Sequence, residues 1–310
     1  MSVIKVVDLA YARIQVPDLD KAEQFFRDFG FIISARTPTS VHARAHDAES
    51  QVVIAQPGPR RLLSIAFKCG SREDLDRVAN HAGTTVTKRD EFGGGWQTTI
   101  QDIDGSNVEL VWGIDAAEPV VLERSPMNVG AERNRRTGDL CRPPAGASHV
   151  LRFGHIVVTS PQPVELGQWY RDMFGLLVSD EVTDDDGNEL LTFNRLDRGE
   201  EYVDHHVFQT APGAPGQVHH ISFEVHDLDD LQLGHAHLAS KGYKHMWGIG
   251  RHLQGSQIFD YWLDPFGFMF EHWIDTDLLN AASKPSKYAV SESIGPWGPP
   301  LPEAFARHSA

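Results

Sequence analysis

The sequence has no apolar run approaching the roughly 18 residues that suggest a membrane-spanning helix, and no secretory leader is visible at its N-terminus. It has only two cysteines, Cys69 and Cys141, in different parts of the chain. They provide neither a disulfide framework nor a cysteine metal site, and a reducing cytoplasm is the simplest setting. Basic residues are in deficit: 28 Lys and Arg against 43 Asp and Glu give a net charge of −15, which argues against a general nucleic-acid binder. Acidic stretches such as Asp184-Asp185-Asp186 read as solvated turns. What the chain does have is length and ordinary apolar content. Its 310 residues can form two domains, each with its own core.

Histidine is distributed unevenly. Residues 1–148 hold three (His42, His46 and His81), and residues 149–310 hold the other thirteen. The chemistry is therefore expected in the second half.

The two halves read as copies. Leu9 to Pro17 lies over Phe153 to Pro161, Arg27 to Gly30 over Arg171 to Gly175 with one residue inserted, Ser64 to Phe67 over His220 to Phe223, and Asp102 to Gly105 over Asp264 to Gly267. Gly105 and Gly267 each stand four residues before a glutamate, Glu109 and Glu271. Four anchors in the same order imply a duplication. Each half divides again. An alternating apolar strand (Phe153 to Val158) precedes a helix with Leu166, Trp169, Tyr170, Met173 and Phe174 at helical spacing, and Gly175 suits its left-handed cap. Strands follow near 176–183, 188–194 and 203–210, and the pattern restarts at Val218. The reading is an α+β fold of four βαβββ modules paired into two domains. They span 1–113 and 149–282, with a linker at 114–148 and a proline-rich tail at 283–310. Gly295 to Pro302 in that tail cannot be regular helix or central strand, and the tail is expected to drape over the second domain or a neighbouring subunit.

The repeat also singles out chemistry. His155, His220 and Glu271 occupy strand positions where the first half has Tyr11, Ser64 and Glu109. Two imidazoles and one carboxylate suit iron(II) and leave coordination positions open, so the second half reads as one active metal site and the first as a retired one.

The stretches Phe153-Gly-His-Ile-Val-Val158, Val218-His-His-Ile-Ser-Phe-Glu-Val225 and Phe259-Asp-Tyr-Trp-Leu-Asp-Pro-Phe-Gly-Phe-Met-Phe-Glu271 resemble the type I extradiol ring-cleaving dioxygenases of the vicinal oxygen chelate superfamily. The resemblance covers residues 5–275, and its specific motifs lie in 150–275. It implies that His155, His220 and Glu271 are the metal ligands and that the first domain is metal-free. It implies an acid–base histidine at His206 or His205, with His206 favoured, and active-site roles for Tyr261 and His252. Strand alternation sends His219 and His272 to the other face. The implied cofactor is Fe(II), with Mn(II) acceptable to the same donors. The implied partners are a catechol-type substrate, dioxygen and further copies of the chain in a homo-oligomer, with no nucleic acid and no membrane. Trp247, Phe259, Trp262 and Phe268 are candidates to line an aromatic pocket, and Arg251 is a candidate to meet a substrate carboxylate. A glyoxalase-like isomerase or epimerase of the superfamily, or a binding module of the same fold, are the competing readings. Tyr261, His252 and the Asp204-His205-His206 segment argue against the first, and a binding module does not require the three metal-type residues.

Overall fold

The computed structural model describes residues 2–123, 126–292 and 295–308. The first module holds β1 (Val6–Val16), α1 (Leu19–Phe29), β2 (Ile32–Thr37), β3 (Ser40–Arg44) and β4 (Val53–Pro57). The second holds β5 (Arg61–Cys69), α2 (Arg72–Ala82), β6 (Thr87–Lys88), β7 (Trp96–Gln101) and β8 (Asn107–Trp112). The third holds β9 (Val150–Ser160), α3 (Pro163–Phe174), β10 (Leu177–Thr183), β11 (Glu189–Arg195), a short β12 (Val203–Asp204) and β13 (Phe208–Pro212). The fourth holds β14 (Gln217–Val225), α4 (Leu228–Ser240), β15 (Lys244–Arg251), β16 (Ile258–Leu263) and β17 (Met269–Ile274). The tail adds β18 (Leu278–Leu279), β19 (Ser286–Ala289) and the short α5 (Glu303–Ala306).

Local chemistry sets the helix ends. Asp18 caps α1 by accepting from the amides of Asp20 and Lys21, and Gly30 ends it at φ 112°. Pro163 starts α3 and Gly175 closes it at φ 69°. Among the described residues no helix is long and apolar enough to cross a membrane.

Each domain is built on one mixed sheet whose two modules meet at the centre, and β12 and β18 form a separate two-stranded sheet in the second. In the first, the order is β2-β3-β4-β1-β5-β8-β7-β6, and in the second β15-β16-β17-β14-β9-β13-β11-β10-β19. The first strands of paired modules run antiparallel (β1 with β5, β9 with β14), and the last strand of a module returns parallel to its first. The return puts β17, β14 and β9 side by side, so three separate stretches of sequence share one face.

The domains lock through aromatics. Phe25, Phe29 and Phe31 of the first meet Phe223, Phe270 and Tyr243 of the second. Such pairs each add about 0.5–1.5 kcal/mol beyond the area they bury. His272, facing away from the metal ligands, stacks on Phe29 at 3.7 Å and donates from Nε2 to its carbonyl. The tail lies across the second domain: β19 pairs with the edge strand β10, and α5 sets Phe305 4.7 Å from the ring of Tyr261.

Candidate metal centre

β9 carries His155, β14 carries His220 and β17 carries Glu271, and the register sets Ser222 opposite both His155 and Glu271. The three side chains converge. His155 Nε2 lies 3.2 Å from His220 Nε2 and 3.0 Å from Glu271 Oε2, and His220 Nε2 lies 3.6 Å from the same oxygen. All three residues are buried. Ser222 Oγ donates to Glu271 Oε2, while Glu271 Oε1 and His155 Nδ1 make no hydrogen bond. Burial alone would raise the Glu271 carboxyl, but His155, with His252 and His220, more than reverses this and holds it well below the ordinary carboxylate range. Buried ring nitrogens and a carboxylate that face one another, with Glu271 Oε1 left unpartnered, form the cradle a cation fills.

A chain of hydrogen bonds fixes which nitrogen of His220 is bare. His219 Nε2 lies 3.0 Å from the carbonyl oxygen of Phe305 and must donate to it. Burial pushes His219 down to about 4, so near neutrality it holds one proton and its Nδ1 is an acceptor. His220 Nδ1, 2.8 Å away, therefore donates to His219, and Nε2 is left as a lone pair aimed at Glu271. This corrects the expectation for His219. β14 shifts register between Val218 and His220, and the irregularity brings both histidines to the cavity instead of opposite faces.

The same logic orders His205 and His206. His205 Nε2 donates to Asp180 Oδ2 at 3.1 Å, and its Nδ1 lies 3.1 Å from His206 Nδ1. The two rings meet through their Nδ1 atoms, which leaves His206 Nε2 directed away from His205. Burial pushes His206 well below its usual range, and its ring packs 4.1 Å from that of His155. Of the two alternatives from sequence, His206 lines the cavity and His205 stands behind it, against Gly255. Gly255 has φ 72°, and a Cβ there would meet the imidazole at 3.1 Å.

Tyr261 on β16 is paired with Glu271 on β17, and its hydroxyl lies 2.8 Å from His252 Nε2. Burial, then the Glu271 charge, push the phenol well above its usual range, so it remains a protonated donor. These groups border one cavity of about 230 Å³. Its apolar walls come from Trp247, Phe193, Leu301 and Phe305. Of the aromatics expected there, only Trp247 lines it. Phe259 stacks behind His252 at 3.9 Å, Phe268 is fully buried core, and Trp262 turns to Asp260. Sequence missed Phe193 and Phe305, which reach the cavity from a distant strand and from the tail. A second cavity, of about 330 Å³, lies between the domains beside Asp102 and Tyr170, away from the three converging groups.

The first domain fills the equivalent place differently. Glu109 on β8 accepts from Tyr11 and Ser64, and Arg13 supplies a cation: its Nε lies 2.8 Å from Glu109 Oε1 and its Nη2 3.0 Å from Oε2. Glu91 binds the other side of the guanidinium at 2.7 Å. Burial would raise Glu109, but Arg13 brings it below the usual range. Its folded pKa is depressed, so the stability it contributes is present above the ordinary glutamate range and lost as pH falls through the folded value. Arg13→Ala is expected to cost about 3–5 kcal/mol near neutral pH by stranding a buried carboxylate, with part recovered toward about pH 5 as Glu109 takes a proton. Urea unfolding at the two pH values checks this. A loss under 1 kcal/mol would rule out the guanidinium as the buried counter-charge.

Residues 152–272 match the Glyoxalase/Bleomycin resistance protein/Dioxygenase superfamily. Over 300 residues the chain is 28% identical to metapyrocatechase 2 of Cupriavidus necator, covering 96% of this chain and 90% of that protein. It is 24% identical over 271 residues to the manganese-dependent 2,3-dihydroxybiphenyl 1,2-dioxygenase of Geobacillus genomosp. 3, covering 84% and 82%. Among solved structures, homoprotocatechuate 2,3-dioxygenase of Arthrobacter globiformis superposes with a TM-score of 0.81 at 17% identity, covering 100% of this chain and 93% of that one. The Mn(II)-bound glyoxalase of Novosphingobium aromaticivorans superposes with a TM-score of 0.78 at 23% identity, covering 96% and 95%. These superpositions carry the shared fold.

Proposed function

We propose that this chain, whose residues 152–272 form a glyoxalase/dioxygenase superfamily domain, is an extradiol dioxygenase: it opens a catechol-type ring beside its two hydroxyls and places both atoms of dioxygen in the product. The observation that carries this reading is the pair of imidazole Nε2 atoms and the Glu271 carboxylate, converging within 3.6 Å at one end of a cavity that also holds His206, His252 and Tyr261. The similarity to metapyrocatechase 2 along nearly the whole chain supports it.

His155, His220 and Glu271 would hold iron(II), for which manganese(II) is an acceptable substitute to the same donors. The ion supplies a Lewis acid that makes both catechol hydroxyls acidic, and a path for electrons from ring to oxygen. The protein's own groups do the rest. Tyr261 donates from its phenol toward the substrate oxygens and is steered by His252. His206, neutral and with Nε2 free, accepts the proton a hydroxyl releases and returns one to the reacting oxygen. Asp180 and His205 hold its ring in place. The apolar walls seat the ring and exclude bulk water.

Charge at the cavity narrows the substrate. Among the described residues no lysine or arginine lines it. Arg251 turns to Asp275 at 2.7 Å and to the Ser256 carbonyl, so it does not serve a substrate carboxylate. A carboxylated catechol would bury an unpaired charge, at a cost of about 3 kcal/mol or more. We expect kcat/KM for 3-methylcatechol to exceed that for homoprotocatechuate by about 10²-fold or more. The function is tested by oxygen consumption after anaerobic iron(II) loading. One dioxygen per catechol and a yellow ring-opened product are expected. Absence of uptake with catechol, 3-methylcatechol and 2,3-dihydroxybiphenyl, with either iron or manganese, would refute the proposal.

A further inference from the structure

A second group of metal-type side chains lies on the opposite face of the same sheet. Asp260 sits on β16 beside Tyr261, and alternation along the strand turns it away from the cavity toward α4. Its carboxylate is fully buried. His235, from α4, places Nδ1 3.1 Å from both carboxylate oxygens, and His245, from β15, places Nε2 2.8 Å from Oδ1. Trp262 Nε1 donates to Oδ2 at 2.6 Å. One ligand atom from each of His235, His245 and Asp260 lies within 4.8 Å of the others.

Two features separate this group from an ordinary surface ion pair. A buried carboxylate needs one compensating positive charge, and one protonated histidine supplies it. The second imidazole is then surplus. The ring centroids are 4.9 Å apart, and charging both would set two cations side by side. A single divalent ion resolves this, since it uses both imidazoles neutral and the carboxylate ionised. The framework is also suitable. The donors come from three elements, β15 and β16 are directly paired, and the indole of Trp262 orients the carboxylate as an outer hydrogen-bond partner does. Both imidazoles are about a third exposed (32% and 31%), so an ion has a way in and water can complete its coordination.

We propose that His235, His245 and Asp260 form a second divalent-metal site, of the two-histidine, one-carboxylate type that suits zinc(II). It ties α4 to the β15–β16 hairpin behind the cavity. It is separate from the site of the proposed dioxygenase chemistry, and neither reading depends on the other. Softness favours zinc over calcium or magnesium, because imidazole nitrogen is the majority donor.

Zinc content distinguishes the possibilities. The full-length chain, stripped by chelator, is equilibrated with micromolar zinc(II), passed over a desalting column and analysed for metal, with circular dichroism to verify folding. The expected result is two zinc per wild-type chain, one for His245→Gln, one for His220→Ala and none for the double variant. His235→Gln should match His245→Gln, and in the His220→Ala background either substitution should remove the zinc-induced rise in Tm that His220→Ala alone retains. Asp260→Asn is less useful, since it removes a fully buried charge and can fail to fold. One zinc in the wild type with the same single zinc in His245→Gln overturns the proposal, as does a second zinc that survives in both His235→Gln and His245→Gln.

Discussion

Replacing His220 by alanine is expected to abolish iron(II) retention and, with it, oxygen uptake on catechol. The change removes one of the two converging imidazole nitrogens and leaves His155 and Glu271, which cannot hold a divalent ion against water as three converging groups can. Losing the Lewis acid forfeits several kcal/mol of charge stabilisation, so kcat/KM should fall by roughly 10³-fold or more. The orienting neighbour should matter less. His219→Ala removes the acceptor that keeps the His220 proton on Nδ1, and a loss of about 10–100-fold in iron affinity is expected. Iron analysis after desalting, beside oxygen-electrode rates, checks both variants. Wild-type iron content and turnover in His220→Ala would remove the metal centre from His220.

The second large effect belongs to His206. His206→Asn should bind iron as the wild type does, because its ring packs beside His155 but is not one of the converging ligands. Turnover should drop by about 10²–10⁴-fold, the usual contribution of a positioned acid–base group. His205→Asn is expected to show a smaller loss in kcat with KM little changed, since it acts through His206, and Asp180→Asn to resemble it. If His205→Asn is inactive while His206→Asn is fully active, the order of the two residues is reversed.

The sequence carried the four modules and the convergence of His155, His220 and Glu271, because strand alternation and the duplicated motifs both report backbone position. Features that depend on distant or irregular geometry were not legible. Arg13 lies two residues from Tyr11 in an ordinary strand, and only the folded sheet reveals that its guanidinium reaches Glu109 and Glu91. Alternation places His219 on the wrong face because it assumes a regular strand, and β14 is not regular there. Asp180 precedes His205 by 25 residues, and no local pattern marks the pair. Trp262 and Phe268 share the hydropathy of wall residues, so composition could not separate a ring facing the cavity from one facing Asp260 or the core. The role of α5 was likewise hidden, because four residues after a proline-rich stretch carry too little periodicity to announce that Phe305 seals the pocket.

Because Arg13 belongs to the chain, the first domain has its counterion from the moment of synthesis, whereas under the proposed function the second recruits one from solution. Iron starvation should therefore soften the molecule unevenly. Amide exchange after chelation is expected to quicken along β9, β14 and β17 while β1, β5 and β8 stay as slow as before.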